Sequence, residues 1–264
     1  MSIIVSFGTR GAEPIKRVPP NFDEFWGPNL RGKFILIVGL PESGSDICAR
    51  RLEKTGSLVR ISGTELDKAE QAERPGRLAE QVGKAKRNNK GVILEGYPRK
   101  IEELYDMYAS QDLPRISLVM QLDAPLELIA DRILFGRTCS KCGGEFNTRF
   151  KPTRDPMKSD CCGEDLLRRT NESIETVRTK ILQAEKGLAP VIRKLKTKFY
   201  ERFVIIRYHA RRFSIPEEFR LKMGGTADYH IGSSSSSIAA NDAGMLACLN
   251  KALLQSFPRQ PGGS

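Results

Sequence analysis

Histidine is almost missing from this chain, with only His209 and His230 in 264 residues. That leaves little room for an imidazole-based triad or a His-rich metal centre. Tryptophan occurs once. Long apolar runs are absent too: the longest, Phe34 to Leu40, is far short of the roughly 20 residues that cross a bilayer, so no membrane role is expected. Six cysteines are too few for a secreted disulfide scaffold. Acidic residues are outnumbered, 32 against 43 Lys and Arg, for a formal charge of +11. Such an excess serves solubility, or it meets a polyanion such as a nucleotide phosphate or a nucleic acid.

What is present describes a folded body. Hydrophobic residues make up 39% and charged residues 28%, which places the chain among globular proteins, and the length fits one large domain or two small ones. The first residues, with Arg10, Lys16 and Arg17 against Glu13, make a poor secretory signal and an ambiguous organellar presequence. An intracellular location, mitochondrial or cytoplasmic, is the expectation. Five short apolar runs follow: Lys33–Gly39, Ser57–Ile61, Gly91–Glu95, Ile116–Leu122 and Phe203–Arg207. Helical patterns separate them, which predicts an α/β fold with a doubly wound, five-stranded parallel sheet.

The segment Gly39-Leu-Pro-Glu-Ser-Gly-Ser-Asp46 lies between a buried strand and a helix, where backbone N–H groups and a helix N-terminus cradle phosphates. The usual pattern adds a Lys for the terminal phosphates and a Ser or Thr for Mg²⁺. In ungapped register Ser45 stands at the Lys position and Ile47 at the hydroxyl position, while Glu42 replaces a glycine. Gly39, Pro41, Ser43, Gly44 and Ser45 are the candidate loop residues.

Further along, Gly91-Val-Ile-Leu-Glu-Gly-Tyr-Pro-Arg99 is similar to the strand of the adenylate kinase family that ends in Asp-Gly-Phe-Pro-Arg. Leu118–Pro125 and Ala130–Ile133 resemble the strand and helix entering that family's lid. Cys139-x-x-Cys142 with Cys162-Gly resembles its zinc-bearing lid, and Arg169, Glu175–Arg178 and Ala189–Ile192 resemble the return from it. The resemblance runs from about Lys33 to Arg207. It implies a P-loop kinase-like core, ATP with Mg²⁺, and phosphoryl transfer between nucleotides. It assigns Arg99 to the monophosphate acceptor, Arg132, Arg169 and Arg178 to the transferring phosphate, and Glu95 to the Mg²⁺ shell.

The departures from the family pattern bear on activity. Gly136 replaces a lid arginine, with Arg137 one residue late, and Asn171 replaces one acid after Arg169 while Glu172 keeps the other. The acceptor motif reads Ser62-Gly-Thr-Glu-Leu-Asp-Lys68, and the region from Ser62 to Glu95 is short for the family. A catalytically weak or inactive member, a pseudoenzyme, is expected. The alternatives are an active ATP:AMP phosphotransferase and a nucleotide sensor without turnover. The expected divisions are a 1–31 irregular leader, a 32–136 core, a 137–168 lid, a 169–223 core return with a basic segment, a 224–241 flexible connector, and a 242–264 C-terminal helix and tail.

Two clusters need separate weight. Cys139 and Cys142 form one metal knuckle, but Ser159 takes the first place of a second one. Either Cys161 beside Cys162, in a re-registered turn, or Asp160 would complete a structural zinc site. Cys48 and Cys248 read as small core residues. Residues 193–222 carry ten Lys and Arg, interleaved with Tyr200, Phe203, Tyr208 and Phe213. This pattern suits RNA, a ribonucleoprotein or acidic protein tails, or else a buried strand between solvated helices.

Overall fold

A computed structural model describes residues 3–7, 22–148 and 153–208, and near the C-terminal end Leu249, Asn250, Ala252, Leu253, Ser256 and Phe257. The expected connector, both histidines, Cys248 and residues 209–222 of the basic segment lie outside the described residues. The elements run β1 (Ile3–Phe7), α1 (Phe22–Leu30), β2 (Phe34–Gly39), α2 (Ser45–Glu53), β3 (Leu58–Ser62), α3 (Gly63–Leu66), α4 (Arg74–Arg87), β4 (Gly91–Glu95), α5 (Ile101–Ala109), β5 (Leu118–Asp123), α6 (Leu126–Phe135), β6 (Gly136–Cys139), β7 (Glu145–Asn147), β8 (Leu166–Arg168), α7 (Ile174–Lys198) and β9 (Phe203–Tyr208). Contacts divide the chain into two compact units: the described residues of 1–123, 184–208 and 244–264 form one, and those of 124–183 fall in the other.

The first unit is built on a parallel sheet in the order β1-β9-β5-β2-β4-β3. The five expected strands are all there: four are largely apolar runs buried on both faces, and the edge strand β3 buries Leu58 and Ile61 while Val59 and Arg60 stay half-buried. One face, with Ile35, Ile37 and Ile93, packs on Trp26, Leu30, Cys48, Ala49 and Leu52 from α1 and α2, and on Leu249, Ala252 and Leu253. The other, with Leu36, Val92 and Leu94, packs on Leu78 and Val82 of α4, Leu104 and Met107 of α5, and Leu188, Val191 and Leu195 of α7.

The leader corrects the sequence reading. It is not irregular throughout: β1 adds a sixth strand beside β9, and α1 forms despite Pro28. A proline inside a helix costs about 3 kcal/mol. Full burial of Trp26 and Leu30, about 1.5–3 kcal/mol for an aliphatic side chain and more for an indole, offsets that cost. Trp26 also donates its Nε1–H to Asn250 Oδ1 at 3.0 Å, tying α1 to the C-terminal segment. Trp26→Ala is expected to cost about 3–5 kcal/mol in denaturant unfolding; a loss under about 1 kcal/mol would mean that this contact does not anchor the leader.

The described part of the second unit contains α6, the first part of α7 and a small antiparallel sheet in the order β7-β6-β8. Among the described residues no helix is long and apolar enough to cross a membrane.

Candidate functional site

The phosphate loop forms where β2 leaves the sheet. Gly39 is confined there, since a Cβ on it would lie 2.4 Å from Ser43 Oγ and 3.1 Å from the Leu122 carbonyl. Glu42 takes φ 62°, a left-handed conformation that a glycine adopts without strain. Gly44 at φ 95° starts α2, with no side-chain cap. Ser43 is fully buried with its Oγ turned toward Gly39, and its backbone N–H is already donated to Leu40 O at 3.0 Å. The Ser43 Oγ has no hydrogen-bond partner among the described residues. Gly44, Ser45 and the free N–H groups of the first turn of α2 keep the anion-binding geometry.

The side chains of that turn do not supply the missing charge. Ser45 opens α2, Asp46 pairs with Arg50 one turn on, and Ile47 is 45% exposed. Arg51 is held by Asp23 at 2.7 Å. Glu95, the last residue of β4, is buried and bound by Arg60 Nη2 at 2.7 Å. Mg²⁺ wants several oxygen ligands in near-octahedral array. Here its expected carboxylate is committed to a guanidinium and its expected hydroxyl is an isoleucine, so these residues do not fit the metal.

Arg99 is also engaged. Its Nη2 lies 2.6 Å from both carboxylate oxygens of Asp67. Arg74 reaches the same Asp67 at 3.3 Å and Glu103 at 3.0 Å, while buried Glu103 accepts the backbone N–H of Arg99 at 2.6 Å. The short acceptor region has turned inward locally. Ser62 and Glu65 form a capping box on α3, and Gly63 sits so close to the Gly96 carbonyl that a Cβ would be 2.1 Å from it. Sequence reasoning missed Arg60, Asp67, Arg74 and Glu103. Arg60 alone left a signal, as the one charge in the run Ser57–Ile61.

In the second unit, Gly136 lies between the Arg132 carbonyl and the Arg169 side chain; a Cβ there would be 2.7 and 2.6 Å from them. An arginine at 136 has no room in this arrangement. Arg137 turns to its own neighbour, the Gly136 carbonyl, at 2.9 Å. Arg178 has its Nε buried without a hydrogen-bond partner.

The four lid cysteines converge, their sulfurs all within 4.8 Å of one another. Cys139 closes β6 and Cys142 follows in the turn to β7. Across from them Ser159 O accepts from Gly163 N at 2.8 Å, and this turn delivers adjacent Cys161 and Cys162. Cys139 faces Cys162 at 3.3 Å and Cys142 faces Cys161 at 2.8 Å. Asp160 points elsewhere, accepting from Arg154 N at 3.1 Å. The backbone N–H of Cys142 lowers the Cys139 thiol to about 6, whereas the hydrogen bond with Cys161 pushes the Cys142 thiol up to about 12. Four thiols in this array fit a tetrahedral zinc.

A family model described as the adenylate kinase active site lid matches residues 137–170. The chain is 30% identical over 181 residues to the adenylate kinase of Paracoccus denitrificans, covering 60% of this chain and 83% of that protein. The chain belongs to the adenylate kinase family. It is 28% identical over 210 residues to the Pyrococcus furiosus adenylate kinase, 70% of this chain and 93% of that one. The Clostridium botulinum adenylate kinase is 31% identical over 110 residues, 41% of this chain, and there the match spans about half (51%) of the relative's length.

The aromatics of the basic segment divide between the two readings. Phe203 is fully buried in the core, and Tyr200 donates its hydroxyl to Glu201 at 2.7 Å. Lys194, Lys196 and Lys198 lie over the rings of Tyr105, Phe203 and Tyr108, at 5.9, 5.6 and 3.6 Å. The buried-strand alternative accounts for Phe203, whereas Arg193, Lys194, Lys198 and Arg202 stay exposed.

Proposed function

We propose that this adenylate-kinase-family protein binds a nucleotide through its phosphate loop, has lost efficient phosphoryl transfer, and serves as a binding or assembly subunit. The observation that carries this is the first turn of α2, where Ser45, Asp46 and Ile47 offer neither the loop cation nor the metal-binding hydroxyl. Phosphoryl transfer is almost wholly positioning and charge stabilisation, and removal of one such donor costs a factor of about 10² to 10³. The Arg99–Asp67 pair supports the same reading on the acceptor side, since a monophosphate must displace a carboxylate that already holds both its oxygens against that arginine.

In the lid, zinc would be held by Cys139, Cys142, Cys161 and Cys162, where it acts as a structural crosslink. Nucleotide binding is tested by thermal unfolding with ATP or AMP. Binding stabilises the native state by about 2.7 kcal/mol at a hundredfold excess over Kd, and no shift with either nucleotide would count against the reading. A coupled ATP plus AMP assay tests the loss of turnover and separates this reading from an active phosphotransferase; a stabilised protein without turnover is equally what a nucleotide sensor would show.

The exposed cations Arg193, Lys194, Lys198 and Arg202 favour a polyanionic partner, RNA within a ribonucleoprotein in the first place. Binding to single-stranded RNA is expected to weaken steeply as salt rises. Salt-insensitive association with a protein partner would contradict the RNA reading.

A further inference from the structure

A bound phosphate needs a counter-charge, and residues 40–49 contain no lysine or arginine. One cation reaches this end of the sheet from another strand. Arg60 lies two residues after Leu58 on the sheet face that α2 covers, and Glu95 lies two after Ile93 on the same face. Glu95 is in register with Ile37 of β2, two residues before the loop begins at Gly39. The Arg60–Glu95 pair therefore stands at the carboxyl edge of the sheet, beside the strand from which the loop springs.

This pair is not a closed account. A guanidinium has five N–H donors. Arg60 gives Nη2 to Glu95 at 2.7 Å, while its Nε is buried with no hydrogen-bond partner. A buried donor left unmatched is costly unless a ligand takes it. The planar fork of a guanidinium matches phosphate oxygens. Glu95, only 6% exposed, fixes the group in place.

We propose that Arg60, anchored on Glu95, is the built-in counter-cation of a phosphate site that works without a divalent metal. It takes the place of both the loop lysine and Mg²⁺, and the ligand class is a nucleoside polyphosphate in its metal-free form. This rests on the nucleotide-binding reading above. The residue that holds Glu95 away from a metal is the same residue whose guanidinium, on a side chain still 26% exposed, supplies the counter-charge.

The test is calorimetric titration of the full chain with ATP, once in chelator and once in excess Mg²⁺. The wild type is expected to bind with affinities that agree within about threefold. Loss of one charge-assisted donor should weaken binding in chelator by about 10- to 100-fold in Arg60→Gln. Because Arg60→Gln strands a buried carboxylate and can unfold the sheet, the paired Arg60→Gln/Glu95→Gln variant removes both charges together and should show the same loss. The proposal is overturned if Mg²⁺ tightens wild-type binding tenfold or more, or if the folded double variant binds ATP in chelator as the wild type does. No binding of ATP in either condition would instead overturn the nucleotide reading itself, and this proposal with it.

Discussion

Replacing Cys161 with serine will take bound zinc from one equivalent per chain to well below it and unfold the lid, while Asp160→Asn will leave both unchanged. In a tetrahedral zinc–thiolate site with bonds of about 2.3 Å the sulfurs stand about 3.8 Å apart. Four of the six sulfur pairs span 2.8 to 3.8 Å and all six lie within 4.8 Å, near that geometry with Cys161 as a member. Asp160 is spent on Arg154 N. The small sheet β7-β6-β8 has little core of its own, with Cys139 and Leu166 the buried hydrophobic residues on its strands. A metal bound by the four cysteines would supply the missing order, since binding at structural zinc sites carries roughly 10–16 kcal/mol. Metal content by mass spectrometry and hydrogen exchange across 136–168 check this. A zinc-replete Cys161→Ser variant, or a zinc-free Asp160→Asn variant, would contradict the assignment.

Restoring the loop lysine alone, Ser45→Lys, is expected to leave turnover at least about 10²-fold below ordinary kinase rates. The substitution returns one donor. It leaves Ile47 without a hydroxyl, Glu95 on Arg60 and Arg99 on Asp67. Donors that act as a unit are not additive, so one returned part recovers little. The initial rate of ADP formation from ATP and AMP measures this, and a variant that regains full kinase turnover would show that the other departures are harmless.

Much of the fold was legible in the sequence because the strands are buried on both faces. Phe34–Gly39 and Gly91–Glu95 read as unbroken apolar runs, and they are strands at those residues. The leader was not legible. Pro28 argues against a helix locally, and only the distant contact of Trp26 with Asn250 shows what holds α1. At the site, the missing lysine and hydroxyl were visible in register, since the loop is a contiguous motif. The pairs that consume Glu95 and Arg99 were not, because Arg60 and Asp67 come from 35 and 32 residues away in the chain. The second cysteine turn was half legible. Sequence spacing left Cys161 and Asp160 open, and the Ser159 turn selects Cys161.

This chain belongs to the adenylate kinase family, and the central proposal is that its site no longer transfers phosphate efficiently. The most direct measurement is the steady-state rate of ADP formation by the zinc-replete wild-type protein from saturating ATP and AMP with Mg²⁺. The account predicts a rate at least about 10²-fold below the roughly 1–100 s⁻¹ typical of kinases, the cost of even one missing charge-stabilising donor. Turnover within that ordinary range would contradict it.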